Sequence, residues 1–163
     1  MSEATVREAT PADVDALVEM LVEVAGEGRW IGTEAPVDTE RRRRRMAAEV
    51  EAADVVVLVA EAEGKPVGQL GLELARYGVA DLGMLVAAGW RGRGVGTALM
   101  AEAVERARAA GAHKIALQVW PHNAAAIALY ERFGFQREGY LRRHYRRRSG
   151  ELWDAVVMGL PLD

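Results

Sequence analysis

Apolar and polar positions change their period several times along the chain, and each change marks an element. Thr5–Ala9 alternates, which predicts a short first strand. Thr10 then reads as an N-cap, with Pro11 at the first helical position and Asp13 three residues after the cap. Val14, Leu17, Val18, Leu21 and Val22 recur three and four apart, the stripe of an amphipathic helix that ends near Gly26 and Gly28. The segment from Gly28 to Pro36 reads as a loop carrying one large aromatic, Trp30. A second helix runs from about Thr39 to Ala52 and holds five consecutive arginines, Arg41 to Arg45.

The middle of the chain turns to strand periodicity. Val55 to Val59 form an apolar run within a strand Asp54–Ala60, and a Glu63-Gly64-Lys65 turn joins it to Pro66–Leu74 as a hairpin. Val79–Val86 is a fourth strand. A helix follows to Ala110 and stops at Gly111, then Lys114–Trp120 alternates as a fifth strand. Asn123–Phe133 reads as a helix closed by Gly134, and two final strands lie near Phe135–Arg146 and Leu152–Leu160. The order β-α-α-β-β-β-α-β-α-β-β predicts an α/β fold with sheet and helices in layers, and no linker or repeat divides it, so residues 1–163 read as one domain.

Between the fourth strand and its helix stands Arg91-Gly92-Arg93-Gly94-Val95-Gly96, leading into Thr97. A glycine-rich turn at this place presents backbone N–H groups without partners of their own. The helix N-terminus adds partial positive charge, so the turn suits a phosphate or pyrophosphate. The glycines allow close approach of the ligand, and Arg91 and Arg93 add fixed positive charge.

Composition narrows the picture. Half of the 163 residues are apolar and 28% are charged, a globular balance. A net charge of −3 argues against a general nucleic-acid binder. With no cysteine there is no disulfide, thiol nucleophile or Cys-based metal site, and no metal is expected. The start Met1-Ser2-Glu3-Ala4 lacks the basic and apolar regions of a signal peptide, and no apolar run reaches the about 18 residues of a membrane span. The expectation is a cytoplasmic protein with no membrane partner, a two-fold homodimer being the default for any soluble homo-oligomer.

Three features together resemble the GNAT superfamily of acetyl-CoA-dependent N-acetyltransferases. Arg91 to Gly96 is similar to its Gln/Arg-x-x-Gly-x-Gly/Ala turn, and Leu82 to Val86 looks like its cofactor-binding strand. The block from Asn123 through Tyr130 to Phe133-Gly134-Phe135 looks like its next helix and exit. The resemblance spans essentially the whole chain and implies a mixed seven-stranded sheet with helices on both faces. It also implies that backbone groups of Met84, Leu85 and Val86 pair with the pantetheine arm of acetyl-CoA, with an N–H near Leu85 polarising the acetyl carbonyl. Gly92, Arg93, Gly94, Val95, Gly96 and Thr97 would hold the pyrophosphate, Asn123 would hold the cofactor beyond the thioester, and Tyr130 would sit near the sulfur as general acid.

Acetyl transfer to an amine needs a neutral amine, a stabilised oxyanion and a protonated thiolate. An aliphatic amine has a pKa of about 10, so about one molecule in a thousand is nucleophilic at neutral pH. A strand N–H meets the second need and a tyrosine hydroxyl the third. The base stays open among Glu73, Asp81 and His122, or is absent if the amine arrives neutral. Some protein N-terminal acetyltransferases of the superfamily carry a glutamate on the fifth strand where this chain has Gln118, which counts against that type.

Bland roles stand beside these. Tyr130 could be core, Asn123 an N-cap and His122 a solvated loop residue. Arg41 to Arg45 cover every face of a helix and read as an ion-paired surface, with substrate recognition as the alternative. The basic run Arg142, Arg143, His144, Arg146, Arg147 and Arg148 reads as a solvated sheet edge. Trp30, Ile31 and Glu34 occupy the segment that the superfamily uses over its acceptor, or else Trp30 merely pins a loop. The chain therefore reads as an enzyme acetylating a primary amine of a small metabolite by direct attack in a ternary complex. A protein acetyltransferase and a non-catalytic acyl-CoA sensor are the alternatives, and nucleic-acid binding through Arg142–Arg148 is the weakest.

Overall fold

The computed structural model describes residues 3–74 and 76–163, the Arg76 side chain excepted. Seven strands form one sheet: β1 (Thr5–Glu8), β2 (Val55–Ala62), β3 (Lys65–Leu74), β4 (Val79–Val86), β5 (Lys114–Val119), β6 (Gln136–Arg146) and β7 (Leu152–Pro161). Their order across the sheet is β1-β2-β3-β4-β5-β7-β6. Neighbours are antiparallel except β4 and β5, which are parallel.

Helices α1 (Val14–Gly26), α2 (Thr39–Glu51), α3 (Val95–Ala109) and α4 (Ala124–Arg132) cover both faces, as expected. Leu17, Leu21 and Val24 of α1 and Met46 of α2 pack on Val57, Val59 and Leu85. On the opposite face Leu99, Met100 and Ala103 of α3 and Ile127 and Tyr130 of α4 pack on Leu58, Leu70, Leu82 and Ile115. The run Val55–Val59 is continuous rather than alternating because β2 is covered on both faces. Burial on α1 differs from the sequence stripe in one respect: Met20, Val24 and Ala25 are buried, while Val22 is only half-buried.

The β2–β3 turn is tighter than the sequence suggests. Both strands run on to Ala62 and Lys65, leaving Glu63 and Gly64 at φ 54° and 75°, the positive-φ pair that matches strand twist. A register shift between Ala60 and Glu61 accommodates the extension. Thr10 and Asp13 close the expected capping box ahead of α1.

Candidate active site

The site begins where two parallel strands part. β4 and β5 pair only from Val79↔Lys114 to Asp81↔Ala116, whereas β4 stays paired with β3 as far as Val86. β5 instead follows β7 up to Val119↔Val156. From Leu82 to Val86, among the described residues, one edge of β4 therefore has no strand beside it. Backbone N–H and C=O groups there are available to an extended ligand.

Two clefts occupy this gap. One of about 360 Å³ runs from Met84, Leu85 and Val86 to the glycine turn. The other, about 270 Å³, lies toward β5 and β7 between Gln118, Trp120, Tyr145 and Ala155. Trp30, Ile31, Met84, Asn123 and Tyr130 line both and so stand at their junction.

Each glycine of the turn has a different reason. Gly92 and Gly94 hold φ of 72° and 85°, a left-handed conformation that a Cβ disfavours. Gly94 caps α3, and the first helical hydrogen bond is Ala98 N–H to the Gly94 carbonyl at 3.0 Å. The N–H groups of Val95, Gly96 and Thr97 precede that bond and lie at the wall of the larger cleft. Gly96 is needed for packing instead: a Cβ there would meet Leu129 Cδ2 of α4 at 2.9 Å.

Tyr130 is 6% exposed, with its ring 5.6 Å from that of Phe135. Burial pushes its hydroxyl up to about 12, so it is protonated at any physiological pH. Asn123 is the N-cap of α4, its Oδ1 accepting from Ala126 N–H at 3.3 Å, while it also lines both clefts.

The mouth is organised by ion pairs. Arg91 does not face the turn alone: its guanidinium donates twice to Glu27, the C-cap of α1, at 2.7 Å, and its Nε donates to the Val86 carbonyl at 3.0 Å. The Arg91 hydrogen bonds hold the Glu27 carboxyl below its ordinary range. Arg93 stacks on Trp90, 3.8 Å above the ring. Trp30 donates to Glu27 at 3.2 Å, which fixes this aromatic beside the cleft.

Arg147 departs from the solvated edge expected for the basic run. It is 6% exposed, lies 4.2 Å over Trp153, and donates to the Gly32 carbonyl at 3.1 Å. It also pairs with Glu34 at 3.5 Å, and the Arg148 N–H donates to the same carboxylate at 3.1 Å. Glu34 thus clips the loop to the turn between β6 and β7 and lines neither cleft. His122 Nε2 lies 2.7 Å from the Arg29 carbonyl, also outside both clefts. Glu73 and Asp81 are cross-strand partners on the α2 side of the sheet and line a third cavity, not the surroundings of Tyr130.

Sequence reasoning missed Tyr145. Three residues of β6, Arg142 to His144, bulge opposite Asp154, which accepts from Arg143 N–H and Tyr140 Oη at 2.6 Å. The bulge delivers Tyr145 to Gln118 Oε1, to which its hydroxyl donates, and sets its ring edge-on to Trp120 at 5.3 Å. A lone aromatic inside a basic run was the available signal.

A parallel pair splayed beside a helix N-terminus, with a protonated tyrosine where two clefts meet, fits the N-acetyltransferase fold that the sequence resembles. The chain belongs to the acetyltransferase (GNAT) family, whose model matches residues 17–135. It is 28% identical over 165 residues to an L-methionine sulfoximine/L-methionine sulfone acetyltransferase of Pseudomonas paraeruginosa, covering 98% of this chain and 95% of the relative. Among solved structures, a ribosomal-protein-alanine N-acetyltransferase from Brucella melitensis superposes with a TM-score of 0.87 at 31% identity, over 97% of this chain and 99% of that one. A putative acetyltransferase from Salmonella typhimurium with its cofactor acetyl-CoA has a TM-score of 0.87 at 26% identity, covering 99% and 95%.

Proposed function

We propose that the protein transfers the acetyl group of acetyl-CoA to a primary amine of a small metabolite by direct attack in a ternary complex. The observation that carries this reading is the junction at Tyr130, Asn123 and Met84, where the cleft leading from the glycine turn meets a second, smaller cleft. The thioester supplies an activated acyl group, and the chain's task is to align it with the amine and manage one proton. The unpaired edge of Met84, Leu85 and Val86 holds the pantetheine as an added strand, with a backbone N–H at Leu85 toward the acetyl oxygen. The N–H groups of Val95, Gly96 and Thr97, continuous with Gly92, Arg93 and Gly94, hold the pyrophosphate. Asn123 keeps its capping bond and lies along the same arm.

The proton balance gives Tyr130 a sharper role. A neutral amine that forms the amide loses one proton, and the sulfur gains one. A phenol at about 12 is a poor net donor to a thiolate of pKa about 8.5. Tyr130 therefore acts as general acid by donating a hydrogen bond to the departing sulfur, its own proton replaced from the attacking nitrogen as it is given up. Glu73, Asp81 and His122 line neither of the two clefts that meet here, and the amine is taken up in its neutral form without a dedicated base.

The Brucella relative supports a second reading, acetylation of a protein α-amine. Gln118 and the loop that Arg147 and Glu34 clip beside the smaller cleft favour a small acceptor instead. Thiol release from acetyl-CoA, measured across amino acids and other small amines and across N-terminal peptides, separates the two. Turnover with small amines and not with peptides is expected. Binding of acetyl-CoA with no turnover on any amine would leave a sensor.

A further inference from the structure

Of the five consecutive arginines on α2, three are paired on the surface. Arg43 bonds Asp15 at 2.7 Å, Arg44 pairs with Glu40 at 3.5 Å, and Arg45 bonds Glu49 at 2.8 Å. Arg42 is different. It turns toward the sheet and lines the third cavity, about 620 Å³, between α2 and the β3–β4 face. Its Nε is buried without a hydrogen-bond partner, and among the described residues its guanidinium makes no ion pair. Burial lowers its pKa, with Glu49 two turns further along α2 partly restoring the charge and Arg45 opposing it.

A second unpartnered group lines the same cavity. Gln69 is 8% exposed, and its Oε1 is buried without a hydrogen-bond partner. The Arg42 Nε and the Gln69 Oε1, left unsatisfied in one chamber, are unfavourable until a ligand completes them; Arg45, Glu49, Glu73 and Asp81 line the chamber too, Arg45 and Glu49 paired with each other. The chamber also adjoins the reaction site, since Ile31 and Met84 line it and both clefts at the Tyr130 junction.

We propose that Arg42 recognises the acceptor: its guanidinium binds an oxyanion, such as a carboxylate, carried by the amine substrate, and Gln69 bonds the same end of the molecule. This rests on the transferase reading above and gives it a substrate class, amines bearing an anionic group. The run of arginines conceals the residue, since only its buried, unpartnered Nε separates Arg42 from Arg45, which lines the same cavity but is paired with Glu49.

The test compares L-methionine sulfone with its carboxamide, on the protein holding coenzyme A, by calorimetry. The two probes differ in the anionic group and keep the same amine. The carboxylate form is expected to bind more tightly to the native protein, and Arg42→Gln to weaken it by about 10- to 100-fold while leaving the carboxamide unchanged. Arg42→Lys is expected to recover part of the preference, and acetyl-CoA affinity to stay unchanged in both variants, which also reports their folding. Equal binding of the two probes, no binding of either, or a preference that survives Arg42→Gln would overturn the proposal. Thiol release is scored separately. Arg42-dependent binding without acetylation refutes the transferase reading and leaves Arg42 as an anion site, whereas acetylation indifferent to Arg42 does the reverse.

Discussion

At the scale of single residues, the proposed chemistry turns on Tyr130. Its hydroxyl is held near 12 by burial, so it titrates too high to produce a limb in a neutral pH profile. Replacing Tyr130 with Phe removes the donor to sulfur and is expected to lower kcat by about 100-fold or more, with little change in acetyl-CoA affinity. Stopped turnover and calorimetry would show it, and unchanged turnover would remove Tyr130 from the mechanism. In the native enzyme kcat/KM should rise about tenfold per pH unit until the acceptor amine itself is neutral. A histidine or carboxylate base would instead give a plateau beginning at lower pH, and Glu73, Asp81 and His122 would return as candidates. The sequence points to Tyr130 and Asn123 through their motif, because both belong to one short helix whose spacing is local. It does not separate Glu34 or His122 from the site, because their partners lie 114 and 93 residues away.

At the scale of elements, the glycine turn joins strand, cleft and helix, and its glycines fail in different ways when replaced. Gly94→Ala meets no atom within 4 Å, yet forces a Cβ into φ 85°, which costs about 1–2 kcal/mol. Gly96→Ala keeps an ordinary helical backbone and strikes Leu129. Urea denaturation of both variants in native and Leu129→Ala backgrounds should therefore show coupling for Gly96 and additivity for Gly94. Equal coupling at both positions would contradict the division of roles. Both variants are expected to weaken acetyl-CoA, since both disturb the first turn of α3. Boundaries of the elements were legible to within a residue or two, because caps and glycines act over a few residues. The extension of the β2–β3 hairpin was not, since it depends on a register shift between two strands.

At the scale of the molecule, the cleft is a gap in a sheet, and a gap contributes no strand pairing until something fills it. Acetyl-CoA should act as the missing neighbour of β4 and stabilise the native state by linkage. At about one hundred times its dissociation constant the gain is about 2.7 kcal/mol, or a rise of about 5–11 °C in Tm for a chain of this size. Thermal unfolding with and without the ligand measures this directly. No shift at saturating acetyl-CoA would overturn the assignment of the cleft.

The sequence alone determined the order of the elements, both helix-covered faces of the sheet, the glycine turn and the family they resemble. Periodicity, capping and backbone freedom are local properties, written within a few residues of where they act. Only the tertiary structure decided which members of the arginine runs are surface charges and which are not. Arg147 clips a loop 115 residues earlier, and Arg42 turns a buried, unpartnered Nε into a cavity where its neighbour Arg45 is ion-paired. Roles of this kind come from the distance between elements after they pack, which no spacing along the chain encodes.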